Sequence, residues 1–588
     1  MWVHRVATLS VVCLLSLPFA VAIVTRSGLN GWYKCSDVTF SDAGNSSGMI
    51  AECAVYSAPL CYPGICETPA SVDSTVDIFV KRFPATSGDP ATASNVWLLQ
   101  GGPGDSSTGL ESIISYLHYE LEGQVNVYTM DHRGTGRSTR LDCVAAQAAT
   151  TGSPFGDLFD LSEVDACAQD LEYKYGNLAS FSITSAATDV ATFIAKFTNG
   201  KSTIVYGTSY GTALVERLMH LETPTVVGYV LDGVYTTSLA AKDKFPYFSK
   251  SQGDFGEVGG AFLDLCVNDD ICNRHFTNTS LRASLQQLIK KFDMEPNSTC
   301  AQLVSTKGAQ TPDPPSFSLR ITLGLLMTIR TMQAAIAPVV YRLSHCAEED
   351  VIVMTQFLTV FKALFEMKPQ DEAYLSTLLY NLIVFSEMWE TPAPSFEVMK
   401  KRMTDAPMFQ GSFRVTTKEQ YEDNYLYCAF SKEKYPTCDE LKLGSNTTSA
   451  IVYDHDRYWN TTSVIPSRAS VLILSSKLDA QTPHKYAEAL FEGLVGSNKE
   501  LVTFEYAAHG LLQSTELAEK DGIIEVCGVK LMASYVKNGG NLKRLDKTCV
   551  AEMPALNLTL PMDFLTRFFG TEDAYDGRTT RASTPPSV

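Results

Sequence analysis

Positive charge is scarce in this 588-residue chain: 47 Lys and Arg stand against 65 Asp and Glu, for a net charge of −18 and a pI near 5.0. A duplex-binding protein needs a basic footprint to neutralise phosphates. No Lys/Arg cluster supplies one, which excludes nucleic acid as a partner. Past the first 22 residues no stretch of roughly 18 residues is free of polar groups, so neither a membrane-spanning helix nor a lipid-anchor tail is expected. No C-x-x-C pair with partner histidine spacing occurs, and no metal or cofactor is expected. Internal repeats are absent too. What is present is a chain 45% apolar and 19% charged, the balance of a folded globular protein. Its length suits one large domain with a big insertion, or two to three ordinary domains.

Residues 1–22 read as a secretory signal: His4 and Arg5 start it, Val6 to Phe19 form an apolar stretch, and Ala20-Val21-Ala22 offer a small-residue cleavage site. A membrane anchor is the alternative, disfavoured by Pro18 and by the shortness of the run. Of fifteen cysteines, Cys13 leaves with the signal, and the fourteen that remain suggest up to seven bridges in an oxidising compartment. Fourteen cysteines allow about 135,000 connectivities. Pairing nearest neighbours gives Cys35–Cys53, Cys61–Cys66, Cys143–Cys167, Cys266–Cys272, Cys300–Cys346, Cys428–Cys438 and Cys527–Cys549. Sequons at Asn45, Asn278, Asn297, Asn446, Asn460 and Asn557 fit a glycosylated protein of the secretory pathway, either secreted or held in a vacuole- or lysosome-like compartment.

Short β-rich runs end in turns loaded with special residues. Val76 to Phe83 is the first. Val96 to Leu99 enters Gln100-Gly101-Gly102-Pro103-Gly104, Val125 to Met130 enters Asp131-His132-Arg133-Gly134, and Thr203 to Tyr206 enters Gly207-Thr208-Ser209-Tyr210-Gly211. Val226 to Leu231 ends at Asp232-Gly233, Val471 to Leu474 near Asp479, and Leu501 to Tyr506 near His509. Buried-looking strands alternating with helical stretches predict a mostly parallel central sheet flanked by helices on both faces. Between about Ser238 and Pro466 the pattern changes: Val351 to Met367 and Tyr374 to Trp389 carry helical spacing. This predicts a mainly helical cap inserted between two sheet strands, with a loop over Ser305 to Ser318. The expected division is 1–22 signal, 23–237 first part of the core, 238–465 cap, 466–570 second part of the core and 571–588 polar tail.

Gly207-Thr208-Ser209-Tyr210-Gly211 matches G-x-S-x-G, where a sharp strand-to-helix turn requires small residues two before and two after a nucleophile. A strand precedes it, and Leu214, Leu218 and Leu221 follow on one helical face. A serine hydroxyl needs a base, and the base an orienting acid, in the chain order Ser, acid, His. Among nine histidines, His509 lies at a terminal strand end downstream of an acid; His484 is its rival. Asp479 is the acid, and Asp232 the runner-up, one strand earlier. The oxyanion of a tetrahedral intermediate needs two backbone N–H donors. Tyr210 N–H and Gly102 N–H are the candidates, since Pro103 has no N–H.

Taken together, LLQGGPG, YTMDHRGTGRSTRLDC, IVYGTSYGT, VLDG, LILSSKLDAQTP and EYAAHG resemble the serine aminopeptidases of the α/β-hydrolase superfamily, most closely the tripeptidyl-aminopeptidase-like branch of the proline iminopeptidase family. The match runs in order over most of the chain and includes Cys266-x5-Cys272 and the region from Cys527 through Gly539-Gly540 to Cys549. The resemblance implies an α/β-hydrolase fold, a triad of Ser209, Asp479 and His509, oxyanion donors at Gly102 and Tyr210, and structural roles for Asp131 and Arg133. Gln100 and Tyr210 stand where proline iminopeptidases usually show His and Trp, which favours the tripeptidyl-like branch. Relatives place acids that grip the substrate amine in the cap; Glu387, Asp254 and Glu257 are candidates here. The expected protein is a metal-independent serine peptidase acting on short peptides at a free amino terminus. An esterase or lipase with the same triad is the alternative, and a non-catalytic binding protein on this scaffold a third.

Overall fold

The computed structural model describes residues 28–40, 46, 48–152, 160–236, 238, 240–241, 245–305, 314–365, 373–410, 423–443, 448–520 and 524–578. The expected signal with Cys13, the sequons at Asn45 and Asn446 and the last ten residues lie outside these.

Among the described residues ten strands form one sheet: β1 Gly28–Leu29, β2 Tyr33–Cys35, β3 Ala51–Pro59, β4 Thr75–Phe83, β5 Asn95–Leu99, β6 Asn126–Met130, β7 Thr203–Thr208, β8 Val226–Asp232, β9 Ser470–Ser476 and β10 Lys499–Phe504. Their order is β1-β3-β4-β6-β5-β7-β8-β9-β10, with β2 paired to β3. β4 runs antiparallel to both β3 and β6, while β6, β5, β7, β8, β9 and β10 are mutually parallel. From β3 onward this is an eight-stranded sheet with its second strand reversed and its third and fourth exchanged in space, the α/β-hydrolase order. All seven expected strands form, the last shifted two residues toward the amino terminus; β1, β2 and β3 were not expected.

The helices that matter below are α1 Glu111–Glu120, α2 Ile183–Phe197, α3 Tyr210–His220, α4 Ser251–Asp264, α5 Pro315–Thr328, α6 Ile336–His345, α7 Glu348–Leu364, α8 Thr377–Glu387, α9 His484–Gly493 and α10 Cys527–Lys537. Successive strand residues point to opposite faces. Trp97, Tyr128, Val205 and Tyr229 therefore pack with α2 and α3 on one face. Val96, Leu98, Val127 and Val230 pack with α1 and α10 on the other. Burial on both faces is what makes these strands continuously apolar.

Between β8 and β9 the described residues hold helices and no strand, and α4 to α7 share a core of their own. Two expectations need correction here. The loop expected over 305–318 is already helical from Pro315, because proline is tolerated in a first helical turn where its N–H would have no partner; residues 306–313 lie outside the described ones. The polar tail expected from 571 begins packed, with Ala574 and Tyr575 in the cap core, and Leu558, Leu560, Phe568 and Phe569 just before it join the same core. Arg342 holds this segment through Ala574 O at 2.6 Å, Asp573 O at 3.1 Å and Gly577 O at 2.8 Å, so its polar backbone is satisfied by one guanidinium.

The seven nearest-neighbour disulfides all form. Asp131 and Arg133 take structural positions. Asp131 binds Ser107 N at 2.8 Å and Arg137 Nε at 2.6 Å; Arg133, wholly buried, pairs with Asp189 at 2.6 Å. Among the described residues no helix is long and apolar enough to cross a membrane.

Candidate active site

Ser209 occupies the turn between β7 and α3 with φ 56° and ψ −128°, a conformation side chains rarely adopt. Its flanking glycines permit it. A Cβ on Gly207 would collide with Gly211 O, and one on Gly211 would lie 2.5 Å from Leu99 O. The serine is pinned by its own backbone: Ser209 N donates to Asp232 O, and Thr212 N donates to Ser209 O, each at 2.9 Å.

His509 follows β10, and Asp479 lies just beyond β9. His509 Nδ1 donates to Asp479 Oδ2 at 2.8 Å. The rest of the carboxylate is saturated: Gln481 N and Thr482 N donate to Oδ1 at 3.0 and 2.9 Å, and Thr482 Oγ1 donates to Oδ2 at 2.7 Å. An ionised carboxylate only accepts, which assigns the ring proton to Nδ1 and leaves Nε2 as the basic nitrogen. Burial disfavours charge on His509, but the charge and hydrogen bond of Asp479 outweigh it and raise the imidazole above its ordinary pKa. Gly233 makes room for this pair, since a Cβ there would sit 2.8 Å from His509 Cε1 and 2.9 Å from Thr482 Oγ1. Sequence reasoning passed over Thr482 and Gly233. Their only signals were a hydroxyl three residues past the acid and a glycine after a strand-terminal Asp.

Ser209, Tyr210, Gly102 and His509 line one cavity of about 1040 Å³. Gly102 has φ 112°, and its neighbour Gly101 presses on the serine, where a Cβ would be 2.8 Å from Ser209 Cβ. The five predicted site residues are thus brought together, His509 carrying Asp479 behind it. The Ser209 hydroxyl makes no hydrogen bond among the described residues; nucleophile-to-base bonds are often long before substrate fills a site.

No protein-family model matches the chain, and no curated protein does. Solved structures match at low identity. They include an esterase from Exiguobacterium antarcticum (12% identity, TM-score 0.27, 76% of this chain and 93% of that one) and mouse alpha/beta hydrolase domain-containing protein 10 (9%, 0.29, 79% and 93%). Acetyl xylan esterase 1 from a Thermoanaerobacterium species is another (10%, 0.27, 82% of each chain). Likeness this slight carries no argument, and the fold rests on the strand order itself.

The two rivals fall outside the ring-to-carboxylate pair. Asp232 is fully buried, yet it accepts from Tyr206 OH at 2.7 Å, Leu511 N at 3.0 Å and Leu512 N at 3.3 Å, holding the segment behind His509. His484 starts α9 and bonds Ser475 Oγ at 3.0 Å, away from the cavity lining. The cap candidates separate as well. Glu387 lies behind the cavity wall, committed to Arg217 at 3.1 Å and Tyr453 OH at 2.8 Å. Glu257 reaches out to Lys485 at 2.5 Å and does not line the cavity. Asp254 does line it, bonded to Tyr486 OH and to Lys485 at 2.9 Å. With Asp105 and Asp160 it makes three carboxylates in a lining that, among the described residues, includes no lysine or arginine.

Proposed function

We propose that the protein is a serine hydrolase cleaving peptide bonds near the free amino terminus of short peptides. The observation that carries the hydrolase reading is the 2.8 Å bond between His509 and Asp479 beside a serine held at positive φ in one cavity. Ser209 Oγ attacks the substrate carbonyl carbon while His509 Nε2 takes the hydroxyl proton. Asp479 keeps the ring in the correct tautomer and stabilises the imidazolium that results. The oxyanion is met by the N–H groups of Gly102 and Tyr210, since such donors stabilise it most when they are fixed before reaction. Collapse expels the amine, which receives the proton from His509. Water then attacks the acyl-enzyme with the same histidine as base, and Ser209 is regenerated.

Peptide rather than ester substrates are favoured by the lining. Asp105, Asp160 and Asp254, the last paired to Lys485 at 2.9 Å, give the described lining an acidic character that suits a substrate with a cationic end. Helix α8 supplies Thr377, Tyr380, Asn381, Val384 and Phe385 to the wall, so the cap roofs the site against folded proteins. Seven disulfides support a secretory-pathway destination. The test compares peptide amides bearing free and acetylated amino termini with p-nitrophenyl esters, alongside fluorophosphonate labelling. Labelling that disappears in Ser209→Ala, with turnover of free-amine peptides at least tenfold above their acetylated forms, is expected. Fast ester turnover with indifference to acetylation would make the protein an esterase, and absence of labelling would remove the hydrolase reading altogether.

A further inference from the structure

Three consecutive cap residues, Tyr374 to Ser376, are bonded to two core turns, the Gly102-Pro103-Gly104 loop and the turn that follows β6. Gly136 N donates to Tyr374 O at 3.1 Å, and Arg140 Nε donates to Leu375 O at 2.8 Å. Ser376 N donates to Gly104 O at 2.9 Å, while Ser376 Oγ donates to Leu141 O at 2.6 Å and accepts from Leu379 N at 3.1 Å as the cap of α8. Gly104 is two residues past Gly102 in the Gly102-Pro103-Gly104 loop. Its φ is 90°, and a Cβ there would collide with Ser376 O. The glycine at 104 therefore answers to the cap rather than to the reacting atoms. The Tyr374 ring also packs edge-on against Phe40 at 5.2 Å, fixing the segment from the other side.

From the hypothesis that Ser209 and the Gly102 and Tyr210 amides form a catalytic centre, we infer that Ser376 is a positioning residue for the oxyanion loop. It transmits the seating of the roof helix to the Gly102 N–H. A roof that only shaped a binding pocket would need no hydrogen bonds to this loop. Here one residue caps the helix that lines the cavity and, through its backbone N–H, grips a carbonyl two residues past the donor. Ser376 touches neither substrate nor reacting atoms on this reading; it acts through Gly104. The expectation is a defect in transition-state stabilisation, which lowers kcat, rather than in ground-state binding, which raises KM.

The test uses p-nitrophenyl acetate, whose small acyl group keeps contacts with the roof few, with the full-length protein. Ser376→Ala deletes the bond to Leu141 O and the helix cap, the two side-chain anchors that seat its backbone N–H on Gly104 O; Ser376→Thr keeps a hydroxyl. We expect kcat to fall roughly tenfold to a hundredfold in Ser376→Ala, up to the scale of a misplaced catalytic group and short of the loss of an oxyanion donor. KM should stay within about twofold, and Ser376→Thr should recover most of the rate. Arg140→Gln, which loosens the segment at Leu375 instead, should give a smaller loss of the same kind, and it serves as the reading variant if Ser376→Ala does not fold. Thermal unfolding checks that the variants are native. An increase in KM at unchanged kcat, or no change in either constant for both variants, overturns the inference. Failure of the wild-type protein to label with fluorophosphonate at Ser209 would instead overturn the hydrolase reading beneath it, so the two failures are distinguishable.

Discussion

Strands β8 and β9 lie side by side, with Asp232 paired in register to Leu474, and each delivers a buried aspartate toward the same histidine. The two carboxylates meet different company. Asp232 terminates its strand inside the sheet and is met by a phenol and two backbone amides, all neutral donors. Asp479 sits three residues beyond the end of β9, where the chain has turned far enough to bring Thr482 and the imidazole onto it. Burial and a strand end are common to both. What separates an orienting acid from a structural one is whether the turn continues long enough to reach the ring.

The sharpest way to break this comparison is to neutralise each carboxylate in turn. Asp479→Asn keeps the size of the side chain but can no longer dictate the tautomer, and the comparable change in a serine-protease triad costs about 10⁴ in kcat. A loss of that order is expected here in steady-state turnover. Asp232→Asn should reduce kcat by less than about tenfold, because no bond to the ring is lost. Equal losses in the two variants would mean that the acid role is shared between the strands.

The next effect concerns stability. Burial is the main reason the Asp232 carboxyl is pushed up to about 6 from its ordinary value of 3.8. The folded protein therefore keeps a proton on Asp232 where the unfolded chain has released it. Between about pH 4 and pH 6 the folded state binds more protons than the unfolded one, so this group's contribution is full below that window and is lost as pH rises through it. A shift of this size corresponds to about 3 kcal/mol. Urea unfolding at pH 4, 5, 6 and 7 should show the decline in the wild-type protein, and Asp232→Asn should flatten it. The same decline in both would place its origin elsewhere.

How far the sequence revealed these features follows the same division. The serine turn was legible because its geometry tolerates few residues: Gly207 and Gly211 are demanded by backbone atoms within collision range, and that demand surfaces as a motif. The strands before the functional turns were legible because burial on both faces makes them continuously apolar. The cap resisted. Its helices announced themselves by periodicity, yet nothing in FSEMWE said that Glu387 would turn away from the cavity to neutralise Arg217. Nor did the polar residues after 570 disclose that Arg342 would bind three of their carbonyls. Helix-on-helix packing accepts many side chains at each position, so the partner of a given acid is settled by tertiary geometry that leaves little local trace. Thr482 was missed for the converse reason, since a hydroxyl near an aspartate is common in turns.

The smallest expected effect is a displacement of a titration midpoint, and it sharpens the comparison most directly. Burial alone would depress the imidazole of His509; the charge and hydrogen bond of Asp479 reverse that, and Asp232 adds in the same direction. The ring must be neutral to accept a proton, so activity is lost as pH falls through its pKa. Because that pKa is raised, the acid limb of kcat/KM in the free enzyme should have its midpoint above about 6.5, the unperturbed imidazole value. In Asp479→Asn the residual activity should show its limb displaced to lower pH by more than in Asp232→Asn, because only Asp479 adds a hydrogen bond to its charge. A pH profile measured with a slow, non-titrating substrate reads both. A wild-type midpoint below 6.5, or equal displacement in the two variants, would mean that contact with the ring is not what distinguishes the neighbouring carboxylates.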